Sequence, residues 1–139
     1  MKPLKTLVLI IVLSLYGCGN NDDNSNNPLD ETNLLDKWEI SGEGTDNIMS
    51  LEAICCGFIE FLDDNNTYDL SGTYNTYVNT TLTGGGNFTI DLENNVLTYT
   101  TENNNTYTRE FSVIHNTLEF WYFDNEDRRQ WTTYERVLE

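Results

Sequence analysis

Residues 96–123 read VLTYTTENNNTYTREFSVIHNTLEFWYF and decide the fold class of this chain. Runs rich in Thr, Tyr, Phe, Val and Ile, at 96–101, 106–114 and 118–123, are separated by short segments that contain Asn. β-Branched and aromatic residues favour strands. Asn favours tight turns because it tolerates left-handed backbone and bonds to its own main chain. The stretch therefore predicts three consecutive strands joined by tight turns.

The same pattern extends through the rest of the chain. Further strands are predicted at 34–41, 58–62, 67–78 with a bulge at Gly72, 88–92 and 130–138. Residues 42–47 and the glycine-rich 79–86 are predicted as loops, and 48–56 as either a short helix or an irregular strand. Ala, the best helix former, occurs only once. Short strands with turn signals, in meander order, predict an all-β fold, namely an eight-stranded up-and-down antiparallel barrel.

Closure of such a sheet has two consequences. It removes the exposed strand edges that invite aggregation. A barrel of this strand number is either filled by side chains or holds one small ligand in its interior.

The start of the chain predicts an exported protein. Lys2 and Lys5 precede an apolar run at 7–13, and a small residue, Gly17, precedes Cys18. This pattern is typical of a secretory signal peptide, and the apolar run is shorter than the roughly 20 residues of a membrane-spanning helix. We therefore predict a signal peptide at 1–17, a flexible polar tether at 18–33 and a single barrel domain at 34–139.

The charge of the chain excludes some partners. The 139 residues carry a formal net charge of −16, and loss of the two leading lysines lowers it to about −18. Nucleic-acid binding rests on clustered Lys and Arg, so we expect none. Electrostatic attachment to an anionic membrane is excluded for the same reason, and a membrane anchor must come from lipid.

The residues around the predicted cut resemble the lipobox of bacterial lipoproteins. They read LYGC at 15–18. The resemblance implies that Cys18 receives a diacylglycerol thioether, that the peptide is cut after Gly17, and that the new amino terminus is acylated. Asp22 and Asp23 resemble the export signal of surface lipoproteins of Bacteroidetes. The implied location is the bacterial outer membrane, lipid-anchored, on either the periplasmic face or the cell surface.

The domain contains the short motifs LDKWEI at 35–40, FLDDNNTY at 61–68, GTY at 72–74, LEF at 118–120 and YERV at 134–137. In this order they resemble the lipocalin-like lipoproteins of Bacteroidetes. The resemblance implies an eight-stranded up-and-down barrel, a lipid anchor and a cavity for a small apolar ligand. Trp38 and Arg136 then lie on neighbouring first and last strands, where a guanidinium can stack on an indole and close one end of the barrel. One departure is Asp36, where lipocalins usually have Gly.

Cys55 and Cys56 are adjacent, and export places them in an oxidising compartment. Their Cα atoms lie about 3.8 Å apart, whereas disulfides usually span about 4.4–6.8 Å. A disulfide between them is therefore strained. Unpaired thiols, an intermolecular disulfide and a soft-metal site are open alternatives.

No pattern in the sequence indicates a reaction. The single histidine, His115, stands at a predicted turn, and no nucleophile–base set or metal-ligand spacing is visible. We therefore expect no enzyme activity, cofactor or metal.

The aromatic residues point to binding instead. The strand at 118–123 is apolar on both faces, so one face packs inward and the other is partly exposed or faces lipid or a partner. Core packing alone is the alternative explanation of its aromatic residues. The candidate contacts are Tyr74, Tyr99, Phe120, Trp121 and Tyr122. We expect a module that binds a small apolar ligand. The alternative is a non-enzymatic lipoprotein with a filled barrel that contacts another envelope protein.

Overall fold

The computed structural model describes residues 27–52, 56–66 and 69–138. The predicted signal peptide, Cys18 and Cys55 lie outside the described residues. The described elements are α1 (Pro28–Glu31), β1 (Asp36–Thr45), β2 (Ile48–Glu52), β3 (Gly57–Asp63), β4 (Ser71–Val78), β5 (Thr81–Asp91), β6 (Val96–Thr101), β7 (Thr106–Ile114), β8 (Thr117–Phe123) and β9 (Arg129–Arg136). The predicted all-β antiparallel fold is confirmed.

The nine strands form one sheet that closes into a ring. Neighbours along the chain pair with each other from β3 to β9, and β9 pairs with β1. Strands β2 and β3 both pair with the same edge of β1, with Glu52 opposite Gly42 and Phe58 opposite Glu39. They share one position in the ring, so eight positions hold nine strands.

Two segments that were predicted as loops are strands. Residues 42–45 continue β1, and 81–86 form the first half of β5. The ambiguous segment 48–56 begins with strand β2, so the helical alternative is wrong for 48–52. Glycines 84–86 pair with β4 residue by residue. On the other side of β5, β6 approaches so closely that a Cβ at Gly86 would overlap the Thr100 carbonyl.

The predicted bulge at Gly72 is also wrong. Gly72 pairs regularly with Asp63 and Phe88, and the register shift of this hairpin lies between Thr76 and Tyr77 instead. Glycine is required at position 72 because β3 and the Phe88 ring approach its backbone closely. A Cβ there would overlap the Leu62 carbonyl and press on the Phe88 ring.

The described part of the predicted tether, residues 27–33, is folded. Asn27 caps α1 by accepting a hydrogen bond from Leu29 N at 3.0 Å, and its Nδ2 donates to Asp63 Oδ2 at 2.6 Å. Leu29 is fully buried in the core. Residues 27–33 therefore belong to the domain. The sequence did not predict this, because the helix is too short to show any periodicity and packs on the core through a single leucine.

Tight turns use Asn and Asp as the sequence predicts. Positive φ angles occur at Asn79, Asn95 and Asn104, each between two paired strands. His115 has the same conformation, with φ 56°. Short polar side chains tolerate this left-handed region better than others do, which explains the Asn-rich turns.

The two ends of the ring differ. The closed end, where β1 starts and β9 ends, contains the fully buried Leu29, Leu34 and Trp38. The open end, where β1 ends and β9 starts, carries the β4–β5, β6–β7 and β8–β9 connections. No helix among the residues that the structure describes is long and apolar enough to cross a membrane.

Candidate functional site

A cavity of about 660 Å³ opens between the strands at the open end. Residues two apart line it on β3, β4, β6, β8 and β9, as expected for one face of a pleated sheet. A smaller compartment of about 210 Å³ shares Arg109, Phe120, Tyr122 and Thr132 with the cavity, and also contacts Glu43. The two spaces are therefore neighbours inside the ring.

Aromatic rings form the floor and walls of the cavity. Phe61 and Phe120 lie with their centroids 6.1 Å apart, and Phe120 meets Tyr134 edge-on at 5.8 Å. Tyr74 meets Tyr99 edge-on at 5.5 Å. Such edge-to-face pairs are favourable because the positive ring edge meets the negative ring face. The cavity therefore offers an apolar interior with phenol groups.

Arg109 is the one basic side chain that lines these spaces, among the residues described. Its guanidinium lies 4.0 Å from the Tyr122 ring centroid and 5.9 Å from that of Tyr107. Strand β7 alternates, so Arg109 shares the inward face with the buried Phe111. The positive charge of Arg109 therefore lies among the aromatic side chains that line the cavity.

Burial raises the pKa of three tyrosines of the cavity, Tyr74, Tyr99 and Tyr134. Burial raises the pKa of Tyr134 to about 12, and the neighbouring Tyr99 and Glu43 add to the effect. Burial also raises the pKa of Tyr99, although Arg109 opposes it, and burial raises the pKa of Tyr74. The hydroxyls of Tyr74, Tyr99 and Tyr134 form no hydrogen bond to any described residue. They are therefore available as donors.

Four of the five predicted contact residues line this cavity together, namely Tyr74, Tyr99, Phe120 and Tyr122. Trp121 is not among the lining residues. It pairs across strands with Trp131, and the Arg129 guanidinium lies 4.8 Å from its ring. Strand β8 thus turns Phe120 and Tyr122 inward and Trp121 outward, a choice that the sequence left open.

Sequence reasoning missed Arg109 and Tyr134. The signal for Arg109 was present, because alternation along 106–114 places residue 109 on the same face as Phe111 and Val113. The signal for Tyr134 was its place two residues before Arg136 on the last strand, which puts both residues on one face of β9, but its neighbours across β1 appear only once the ring closes, with Tyr134 opposite Ile40.

The predicted stacking of Arg136 on Trp38 is present at the closed end. The two residues are cross-strand partners, and the guanidinium lies 4.4 Å from the indole centroid. Arg136 also pairs with Asp36 Oδ2 at 2.5 Å and donates to the Asn33 carbonyl at 2.8 Å. The Trp38 Nε1 donates to the Leu34 carbonyl at 2.9 Å. We call Asp36, Trp38 and Arg136 the latch, because these contacts connect the start of β1 with the end of β9.

The remaining candidates give no second site within the part of the chain that the structure describes. Cys56 is disulfide-bonded, but Cys55 lies outside the described residues, so the pairing of the two stays a prediction. Within the described ranges, no group of three or more His, Cys, Asp or Glu side chains could hold a metal ion.

No protein-family model matches this chain, and no curated protein sequence matches it. Function must therefore be inferred from the cavity and its side chains.

Proposed function

We propose that this protein is a lipid-anchored, lipocalin-like lipoprotein of the outer membrane that binds a small apolar ligand inside its ring of strands. The cavity of about 660 Å³ carries the proposal. Ligand sites usually enclose about 300–1,000 Å³ and have mainly apolar and aromatic walls. A ring filled by its own side chains would leave almost no such space.

The anchor in this proposal is Cys18, supported by the basic start, the short apolar run and Gly17 before it. The described domain begins at Asn27 beside the closed end. An anchor at Cys18 would thus join the domain at its closed end.

One observation supports the alternative, a lipoprotein that contacts an envelope protein. Apolar side chains near the open end are exposed, among them Ile48, Val78, Leu82 and Phe123. Exposed apolar patches often mark interaction sites. The cavity favours a ligand, and the two roles are distinguished by the binding experiment below.

Binding is tested with a neutral apolar fluorophore, N-phenyl-1-naphthylamine, and the mature chain, residues 18–139 with Cys18→Ser, which has no acyl chain to compete for the probe. Thr132→Trp should fill the cavity, of which Thr132 is a lining residue, and weaken binding at least tenfold. Thr98→Trp is the matched control, because Thr98 lies between the inward Leu97 and Tyr99 and faces outward. It should bind as the wild type does.

Two outcomes contradict the cavity as the ligand site. If the wild-type chain binds no probe, the interaction lipoprotein is the better proposal. If Thr132→Trp and Thr98→Trp both bind the probe as well as the wild type does, the probe lies on the outer surface.

The anchor is tested in the full-length chain by metabolic labelling with a fatty-acid analogue. Replacing Cys18 by Ser should abolish the label, since the thioether has no sulfur to form on. The acyl chains contribute about 0.8 kcal/mol of membrane binding per buried CH₂ group. Without them the variant should also lose its membrane attachment, because the acidic chain has no electrostatic attraction to anionic lipid. Label in the Cys18→Ser variant, or none in the wild type, would show that the anchor assignment is wrong.

A further inference from the structure

The arginines of the described chain differ in their partners. Arg128 pairs with Asp124 at 2.9 Å and with Glu126 at 3.1 Å, and Arg129 pairs with Glu119 at 3.1 Å. Arg136 belongs to the latch. Arg109 forms no ion pair within the described ranges, although the chain carries 23 acidic residues. An unpaired cation inside so acidic a protein needs an explanation.

The surroundings of Arg109 leave most of its donors unused. Its one hydrogen bond to a described residue runs from Nη1 to the Thr108 carbonyl at 2.8 Å. The rings of Tyr122 and Tyr107 attract the positive charge, but they accept no strong hydrogen bond and carry no negative charge. A guanidinium presents several N–H groups in a rigid fork that matches a carboxylate. Arg109 therefore retains a free binding face toward the cavity.

The rest of the cavity is suited to the same kind of ligand. The phenol hydroxyls of Tyr99 and Tyr134 have no hydrogen-bond partner among the described residues, and Phe61 and Phe120 form an apolar floor. An acceptor-only group could accept bonds from both Arg109 and the phenols, while an apolar body covers the floor. Charge-assisted bonds of this kind are about twice as strong as neutral ones.

Two carboxylates also border these spaces, but they favour a cationic ligand less than Arg109 favours an anionic one. Glu102 borders the cavity and Glu43 the smaller compartment, but both are exposed. Water screens exposed charges strongly, whereas a half-buried charge is screened less. Arg109 is half-buried, so its charge dominates the interior of the cavity.

We propose that Arg109 binds the anionic group of the ligand, and that the ligand is an apolar carboxylic acid rather than a neutral hydrocarbon. This inference rests on the proposed function, since it names the ligand class of the same cavity.

The test compares two probes that differ in one group, 4-(1-pyrenyl)butyrate and 1-pyrenebutanol, bound to the mature chain with Cys18→Ser. The wild-type sequence should bind the carboxylate about tenfold or more tightly than the alcohol, as expected for hydrogen bonds to charged groups. Higher salt should weaken binding of the carboxylate and leave the alcohol unchanged.

Three variants assign the preference to Arg109. Arg109→Met keeps the apolar stem and should remove the preference while the alcohol still binds within about threefold of its original affinity. Arg109→Lys keeps the charge without the fork and should retain part of the preference. Arg128→Met is the matched control: it removes the same charge from a side chain that is half exposed at the β8–β9 loop, and should keep the full preference.

The outcomes separate this inference from the proposed function. If neither probe binds, both are wrong. If both probes bind equally well to the mature chain that carries only Cys18→Ser, the cavity binds ligand but Arg109 does not select an acid. The same conclusion follows if the preference survives in a folded Arg109→Met variant. If Arg109→Met does not fold, as judged by circular dichroism, Arg109→Lys and the salt dependence decide between the same results.

Discussion

At the scale of single residues, the latch shows how a surface charge can serve the core. Arg136 covers the fully buried Trp38 and is held in place by Asp36 and by the Asn33 carbonyl. The sequence predicted the stacking because first and last strands are neighbours in a closed ring. It did not predict the ion pair, since the contact depends on where β1 begins.

A double-mutant cycle on the latch should show coupling. Asp36→Asn and Arg136→Met, singly and together, should give a coupling energy of about 0.5–1 kcal/mol in urea unfolding, at the upper end for a partly exposed pair. The side chains are 37% and 19% exposed. Arg128 and Glu126, which are 50% and 71% exposed, are the control pair. A coupling no larger than that of the control would contradict the latch.

The binding residues were predictable to different degrees. Tyr74, Tyr99, Phe120 and Tyr122 were found because aromatic residues on alternating strands face inward together. Trp121 could not be separated from them, because β8 is apolar on both faces and only its pairing with β9 reveals the inward side. Arg109 was passed over because a charged residue inside a barrel contradicts the simple alternation of apolar and polar positions.

At the scale of elements, strand β5 shows the limit of reading glycine as a loop residue. Three successive glycines predicted a loop at 79–86, whereas 84–86 pair with Thr76, Asn75 and Tyr74. Glycine can mark a place where another backbone approaches closely. Nothing local in the sequence distinguishes that use from a turn, because the approaching chain lies on another strand.

Alanine substitutions in β5 should distinguish two kinds of glycine. Gly86→Ala should destabilise the fold by about 1–3 kcal/mol, because the added Cβ overlaps the Thr100 main chain. Gly84→Ala meets only the Thr76 Oγ1 at 3.3 Å and should change stability by less than about 1 kcal/mol. Urea midpoints measure both. Equal effects would mean that β5 does not pack against β6 as described.

At the scale of the whole molecule, the fold class was predictable and the strand count was not. Alternation and Asn-rich turns suffice for an antiparallel meander, and the turns indeed place Asn at positive φ. The ninth strand arises because β2 and β3 share one edge of β1. Pairing between strands depends on residues far apart in sequence, so periodicity within one segment does not contain it.

The stability of the ring should fall at high pH. The pKa of Tyr134 rises from 10.0 to about 12, so the folded state holds this proton more tightly than the unfolded chain does. The resulting stabilisation is full below pH 10 and is lost as the pH rises from 10 to 12. It amounts to about 2–3 kcal/mol for a shift of this size in a largely buried group.

Urea unfolding at pH 7 to 12 measures this effect. Tyr134→Phe should flatten the alkaline decline, and an unchanged decline would contradict the assignment. Asp124→Asn is the control and should leave the alkaline decline unchanged, since Asp124 affects stability only at acid pH. Hydrogen bonds, first from the Arg128 main chain, lower the pKa of Asp124 to about 2. Its contribution is therefore present above its ordinary pKa of 3.8 and lost as the pH falls towards 2.

The antiparallel pairing of β1 with β9 has a mechanical consequence. The start of β1 and the end of β9 both lie at the closed end, with Trp38 opposite Arg136 near the margin of the seam. Tension applied between the two chain ends would pull the strands apart like a zipper, one rung after another, rather than shear all rungs at once. The first residue pair to bear this load is Trp38 and Arg136, where Arg136 stacks on the indole and also forms the ion pair with Asp36.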